Sequence, residues 1–151
     1  MSDFKQQRIQ IDRKYHLESC EDALDIIQSL EDHIYEFNCA KINRADGHLF
    51  SKVFRDDKGD IVAGVGGWTW AGACEVTQLW VDEKLRRKGI GKILLNAAEE
   101  EAMNKGCVTI LVRTYSFQAP GFYLEQGFKL EHVIRKFPGG YSYYALTKEI
   151  V

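Results

Sequence analysis

The chain has 151 residues, of which 45% are hydrophobic and 28% charged, and its net charge is −2. This size and composition predict one globular domain, over 1–151, with a substantial core. The balance of charge argues against a general nucleic-acid-binding protein, which would carry a broad basic excess. The apolar runs are too short to cross a bilayer. We therefore expect a cytoplasmic protein with neither a nucleic acid nor a membrane as partner.

The cysteines and histidines show no spacing typical of a metal site. Cys20, Cys39, Cys74 and Cys107 form no CxxC pair, and the histidines are scattered along the chain. We expect no secretory signal before the cysteines. We expect reduced cytosolic thiols that serve as small apolar residues, and no metal.

The first half of the chain alternates between strand and helix patterns. Residues 8–16 alternate apolar and polar side chains, which predicts a strand. Ser19 and Asp22 resemble a capping box, and apolar residues then recur at helical spacing, which predicts a helix over 19–38. Residues 48–56 and 61–70 read as strands joined by a hairpin turn. The glycines of 61–70 suggest a bulge or a close backbone approach.

The second half continues the alternation. We predict a strand over 73–82, a helix over 90–105 that stops at Gly106, and a central buried strand over 108–115. A short helix fits 119–126, and two strands follow near 128–136 and 141–150. The buried stripe predicted for the helix 90–105 consists of Ile90, Ile93, Leu94, Ala97, Ala98 and Ala102. This order of elements predicts an α/β domain with a mixed sheet.

The segment 84–92 is the most informative local feature. It follows a strand, is rich in lysine and arginine, contains Gly89 and Gly91, and leads into a helix. Helix N-termini offer unpaired amides and a positive dipole end to anions, and glycine lets a phosphate approach the backbone. The segment therefore suggests a pyrophosphate site. A solvated basic turn, or a site for a nucleotide or nucleic acid, is the alternative.

Two motifs carry a resemblance to a known family. The pattern Arg86-x-x-Gly89-x-Gly91 is similar to the Q/R-x-x-G-x-G/A signature of the GNAT superfamily of N-acetyltransferases. The segment FYLEQGF, 122–128, resembles the second marker of that family. The spacing of the two motifs and the order of the elements also match, well over 60–150 and loosely before residue 60.

The resemblance implies a fold, a co-substrate and a reaction. The fold would be a single GNAT-like α/β (α+β) domain, with a twisted, mostly antiparallel mixed sheet flanked by helices and a V-shaped splay between two parallel strands. The reaction would be direct transfer of an acetyl group from acetyl-CoA to a primary amine. The acceptor would be a small molecule. The alternatives are a protein amine, or a catalytically silent acyl-CoA-binding sensor.

The resemblance also implies catalytic residues. Glu75 lies on the strand that feeds the basic turn, where a carboxylate serves as general base in several family members. The alternative is that Glu75 faces solvent or pairs with a cation. Tyr123, in the second motif, would act as general acid toward the leaving thiolate, and the alternative is a core aromatic residue.

Three segments would bind the coenzyme. The backbone of the strand, at Leu79 and Val81, would pair with the pantetheine arm. Many members carry an asparagine seven residues before the motif tyrosine, where this chain has Ser116, so Gln118 is a candidate replacement. The full set of expected coenzyme-binding residues is Leu79, Trp80, Val81, Arg86, Arg87, Lys88, Gly89, Ile90, Gly91, Lys92, Ser116 and Gln118.

The acceptor site is less well defined by the sequence. In the family it is built from the first helix, the third strand and the last two strands. The candidates are Tyr35, Asn38, Trp68 and Trp70, beside the tyrosines of 141–144, and the alternative is that most of them fill core or edge positions. The aromatic last strand is also compatible with a homodimer.

Overall fold

The computed structural model describes residues 15–150 of the chain. The described residues fall into two compact units, divided between Lys41 and Ile42, which are described separately. Most of the strand predicted over 8–16 lies outside the described residues. Tyr15 and His16, at its end, have no regular secondary structure.

The first unit contains most of helix α1, Ala23–Ile42. The predicted helix was four residues too early at both ends. The carbonyl of Asp22 accepts the amide of Ile26 at 3.1 Å, so Asp22 precedes the first helical residue. Asn43 has a φ of +54°, a left-handed conformation that ends helices.

The second unit is built on one six-stranded sheet. The strands are β1 His48–Arg55, β2 Ile61–Trp70, β3 Ala73–Val81, β4 Thr109–Tyr115, β5 Lys129–Ile134 and β6 Tyr143–Glu149. They lie in the order β1-β2-β3-β4-β6-β5, and every neighbouring pair is antiparallel except β3–β4, which is parallel. The predicted mixed, mostly antiparallel sheet is therefore confirmed.

Two helices complete this unit: α2, Ile90–Asn104, and α3, Pro120–Glu125. Helix α2 packs on β1, β2 and β3 and buries Leu94, Leu95, Ala98 and Ala102. The predicted stripe was wrong at Ile93, which is exposed, and it missed Leu95, which is fully buried. Both residues are apolar, so the sequence alone did not fix which of them faces the sheet.

The parallel strands β3 and β4 separate along their length. They pair only through Ala73–Val76 and Thr109–Val112. Beyond this point β3 continues to pair with β2, and β4 with β6. The predicted V-shaped splay is confirmed, and it leaves one edge of β3 without a strand partner from residue 77 to residue 81.

A bulge in β3 lies where the separation begins. Gly66 is opposite Gln78 and Gly67 is opposite Val76, so Thr77 is the extra residue. At Gly67 a Cβ would overlap the carbonyl oxygen of Glu75. Position 67 therefore requires glycine, in agreement with the close backbone approach expected for this strand.

Over residues 15–150, no helix combines the length and the apolar character that crossing a bilayer requires.

Candidate active site

The connection from β3 to α2 is a tight, ordered turn. A short 3₁₀ helix, Glu83–Leu85, begins where the carboxylate of Asp82 accepts the amide of Lys84 at 2.9 Å. Arg87 then adopts a φ of +61° and Gly89 a φ of +79°. A positive φ at a non-glycine residue is uncommon and often marks a functional turn. These two residues redirect the chain into the first turn of α2.

The N-terminus of α2 has no side-chain cap. Gly89 is the N-cap residue, and its carbonyl accepts the amide of Ile93 at 3.1 Å. The amides of Ile90, Gly91 and Lys92 precede this first intrahelical bond, and glycine offers them no capping oxygen. The turn therefore presents backbone donors and a positive dipole end, which suit an anion.

A cleft of about 670 Å³ lies beside this turn, within the size range of small-ligand sites. It contains ten of the residues expected to bind the coenzyme, together with five that sequence reasoning did not select. The expected ones are Leu79, Trp80, Val81, Arg86, Arg87, Gly89, Ile90, Gly91, Lys92 and Gln118. The additional ones are Leu85, Phe117, Ala119, Phe122 and Gln126.

Arg86 lines the cleft and also holds the turn in place. Its Nε donates to the carbonyl of Val81 at 3.1 Å, which ties the turn to the end of β3. One lone pair of that carbonyl is therefore used within the chain. The carbonyl oxygen retains a second lone pair for a ligand.

Ser116 and Gln118 differ in their surroundings. The Ser116 amide donates to the carbonyl of Ser142 at 2.8 Å, and the Ser116 Oγ accepts the amide of Ser142 at 3.1 Å. Ser116 thus fastens the end of β4 to the start of β6 and does not line the cleft. Gln118 does line the cleft, and its Oε1 accepts the amide of Tyr115 at 2.8 Å, which leaves its NH₂ group as a donor.

Glu75 lies on the opposite side of β3 from the core residues Cys74 and Val76. Only 7% of its surface is exposed, and Trp68 is its cross-strand neighbour on β2. Its Oε1 is 2.9 Å from a guanidinium nitrogen of Arg113 on β4. The sequence left two alternatives to a catalytic role for Glu75. Exposure of its side chain to solvent is wrong, because the residue is buried. Pairing with a cation is observed, because Glu75 contacts Arg113. Arg113 itself is half-exposed and was not identified from the sequence.

Tyr123 lies on α3 and is also 7% exposed. Its ring contacts Phe122 and Phe128 edge-on, with centroid distances of 5.2 and 5.6 Å. Burial raises the pKa of its phenol to about 12. The phenol is therefore a stable hydrogen-bond donor, and its ring belongs to the core.

Known proteins resemble this chain over most of its length. The model of the Acetyltransferase (GNAT) family matches residues 11–128. A blasticidin-S acetyltransferase of Streptomyces morookaense is 37% identical over 98 residues, which cover 62% of this chain and 70% of that protein. The solved structure of an acetyltransferase from Bacillus cereus is 28% identical, covers 91% of this chain and 99% of its own, and superposes with a TM-score of 0.72.

The chain belongs to the GNAT acetyltransferase family. It is an acyltransferase enzyme, as the motifs implied. The solved structure of an aminoglycoside 6'-N-acetyltransferase complexed with coenzyme A shares the fold, with a TM-score of 0.60 at 19% identity over 68% of this chain and 73% of its own.

The candidate acceptor residues of this GNAT enzyme are divided between the two units. Tyr35 and Asn38 lie on α1, and Trp68 and Trp70 lie on β2. The Trp70 indole donates to the carbonyl of Arg44 at 3.0 Å, so this ring also holds the loop before β1. Trp68 is half-buried beside Glu75.

Proposed function

We propose that this enzyme transfers the acetyl group of acetyl-CoA directly to a primary amine of a small molecule. The observation that carries the proposal is the cleft at the separated ends of β3 and β4, with the N-terminus of α2 on one side and Glu75 on the strand that leads into it. The names of two similar acetyltransferases, for blasticidin-S and for aminoglycosides, support a small-molecule acceptor.

Two features of the cleft suit acetyl-CoA. The amides of the α2 N-terminus and the cations of the turn, including Arg87 and Lys92, complement a pyrophosphate. The unpaired edge of β3, at Leu79 and Val81, offers backbone groups that an extended pantetheine arm would use as a neighbouring strand does. Lys88 does not line the cleft, so we assign it only a long-range electrostatic part.

Glu75 is the proposed general base. An alkyl ammonium has a pKa near that of lysine, about 10.4, so the acceptor arrives protonated and must lose a proton before it attacks the thioester. A buried carboxylate at the start of the splay, held by Arg113, has a fixed position from which to accept that proton directly or through one water.

Tyr123 is the proposed donor to the leaving thiolate. Because burial raises its pKa to about 12, the phenol stays protonated at every pH at which the enzyme would work. A thiol has a pKa of about 8.5, so complete proton transfer from this phenol would be uphill. We therefore assign Tyr123 a hydrogen bond that stabilises the thiolate, with the proton supplied by water or by the ammonium product.

The test is release of free coenzyme A thiol from acetyl-CoA with a panel of polyamines, aromatic amines, aminoglycosides and lysine peptides. Glu75→Gln should lower kcat by about 100- to 10,000-fold, the usual range for a general base, with the coenzyme Kd unchanged by calorimetry. Glu131→Gln, an exposed carboxylate on β5, is the matched control and should behave as wild type.

Three results would contradict the proposal. Turnover by Glu75→Gln at the wild-type rate would show that Glu75 is not the general base. Turnover with lysine peptides but with none of the small amines would assign a protein acceptor instead. Coenzyme binding without turnover across the whole panel would favour a silent sensor.

A further inference from the structure

Five aromatic side chains form a cluster where β4 and β6 extend beyond the splay. We call this cluster the aromatic wall. Tyr115 lies at its centre, at the end of β4, and is paired with Tyr143 at the start of β6. The loops that follow β4 and precede β6 supply the rest. The members are Tyr115, Phe117, Phe137, Tyr141 and Tyr143.

The rings of the wall touch one another directly. The Tyr115 ring lies 5.3 Å from Phe117, nearly parallel at 8°, and 4.6 Å from Tyr143. Phe137 meets Tyr115 edge-on at 5.5 Å, and Tyr141 meets Phe117 edge-on at 5.0 Å. Rings at these spacings are in contact. They therefore form one contiguous aromatic cluster.

The outer rings of the wall are open to solvent. Phe117 is 62% exposed and Tyr141 is 48% exposed. A contiguous exposed aromatic surface is unusual on a protein and is typical of a place where a ligand binds. A planar ring stacked on such a surface gains burial and the preferred geometry of aromatic pairs.

The wall lies on the same face of the sheet as Glu75. Arg113, which contacts Glu75, is two residues before Tyr115 on β4, and side chains two apart in a strand point to the same face. Two residues of a strand span about 7 Å. The Arg113–Glu75 pair therefore lies close to the start of the wall.

The wall is also continuous with the cleft. Phe117 is one of the cleft-lining residues and stacks on Tyr115. A molecule that rests on the wall would thus border the coenzyme cleft at one end and the Glu75 carboxylate at the other. Because Arg113 is paired with Glu75, its charge is compensated, which lowers its repulsion of an ammonium group.

We propose that the aromatic wall binds a planar ring of the acceptor, so that the substrate is a small primary amine carried on an aromatic or heteroaromatic ring. This inference rests on the proposed function, because it places the amine next to Glu75. It selects one chemical class of acceptor among the small molecules considered above and assigns its recognition to five residues.

The experiment compares two amines that differ only in their ring, 2-phenylethylamine and 2-cyclohexylethylamine. Calorimetry in the presence of coenzyme A measures their binding to wild type, Tyr141→Ala and Phe54→Ala. Phe54, on β1, is a comparably exposed aromatic residue at the other edge of the sheet and serves as the matched control. Thiol release measures turnover of the same two amines.

We expect wild type to bind the phenyl amine about fivefold more tightly than the cyclohexyl amine, as one aromatic pair allows. Tyr141→Ala should lose this preference, and Phe54→Ala should keep it. Three results would overturn the proposal that the wall binds the acceptor ring. They are equal binding of the two amines, binding of neither amine, and an unchanged preference in Tyr141→Ala. Those results would leave thiol release and the Glu75 variants to decide the proposed function independently.

Discussion

Both halves of β3 pair with β2, but they have different roles in the molecule. The first half, Ala73–Val76, is paired on both sides and carries two core residues, Cys74 and Val76. The second half, residues 77–81, is paired on one side only and borders the cleft. The paired half holds the sheet together, and the open half keeps backbone groups available.

The difference depends on one extra residue and one missing Cβ. Thr77 is the bulged residue, and Gly67, opposite the adjacent Val76, allows β2 to approach the carbonyl of Glu75. The stability of the fold and the geometry of the site are therefore separable in principle. Substitutions of core residues in the paired half and in the part of β4 beside it should alter stability, whereas substitutions at Glu75 should alter catalysis and those at the open half and its turn should alter binding.

The largest expected effect is on stability, in the paired half. Ile110 lies in β4 opposite Cys74 and is fully buried. Ile110→Ala should lower the free energy of unfolding by about 2–5 kcal/mol, because it removes buried methyl groups and leaves a cavity. Urea denaturation measures this. Leu124→Ala, an exposed leucine on α3, is the control and should change stability by less than about 0.5 kcal/mol.

The next effect lies at the boundary between the halves. Gly67→Ala places a Cβ on the Glu75 carbonyl oxygen, so the strands must move apart. We expect a loss of about 1–3 kcal/mol in unfolding free energy, as for overpacked sites, together with lower kcat because Glu75 is displaced. Gly121→Ala, where a Cβ meets nothing within 4 Å, is the control. Wild-type stability and activity in Gly67→Ala would show that the bulge tolerates separation.

A third effect concerns the open half and its turn. Gly89→Val forces a branched side chain into a φ of +79° at the start of α2, whereas Gly106→Val does the same at a φ of +73° after its end. Neither Cβ would meet an atom within 4 Å. Both variants carry backbone strain of about 1–2 kcal/mol. Only Gly89→Val should weaken acetyl-CoA binding, by about tenfold, as measured by calorimetry. If both variants bound acetyl-CoA equally well, the turn would not be part of the coenzyme site.

The smallest effect concerns Tyr123 and alkaline pH. Burial raises its pKa to about 12, so the folded protein keeps this phenol neutral while the unfolded chain ionises it from about pH 10. The neutral phenol therefore stabilises the fold below pH 10, and that contribution is lost as the pH rises toward 12. Absorbance titration of wild type minus Tyr123→Phe should show the late-titrating phenol. A difference curve centred near pH 10 would contradict burial of the hydroxyl.

Features set by local sequence were predictable. The basic turn with Gly89 and Gly91, the hairpins and the element order from α1 onward all follow from neighbouring residues, and the family resemblance supplied the splay. The end of α1 was missed because it depends on the left-handed conformation of Asn43, to which a helical pattern gives no signal.

Features set by long-range pairing were not predictable. Arg113 contacts Glu75 only because the parallel register brings these parts of β3 and β4 together, and no local pattern encodes that register. The same holds for Phe117 and Tyr141, which are distant in sequence and meet through the pairing of β4 with β6. The aromatic residues near 141–144 suggested an exposed edge, which is wrong because β6 lies between β4 and β5, and they gave no signal of the wall.

The burial of two cysteines has a practical consequence for labelling. Burial raises the pKa of Cys74 to about 12 and also raises the pKa of Cys107, so both thiols remain protonated and shielded. Alkylating dyes react with thiolates. Cys20 is exposed and Cys39 half-buried, and both belong to the first unit. A maleimide fluorophore should therefore label the first unit selectively. Replacing Cys20 and Cys39 by serine should give a protein whose own thiols contribute almost no background signal in the thiol-release assay.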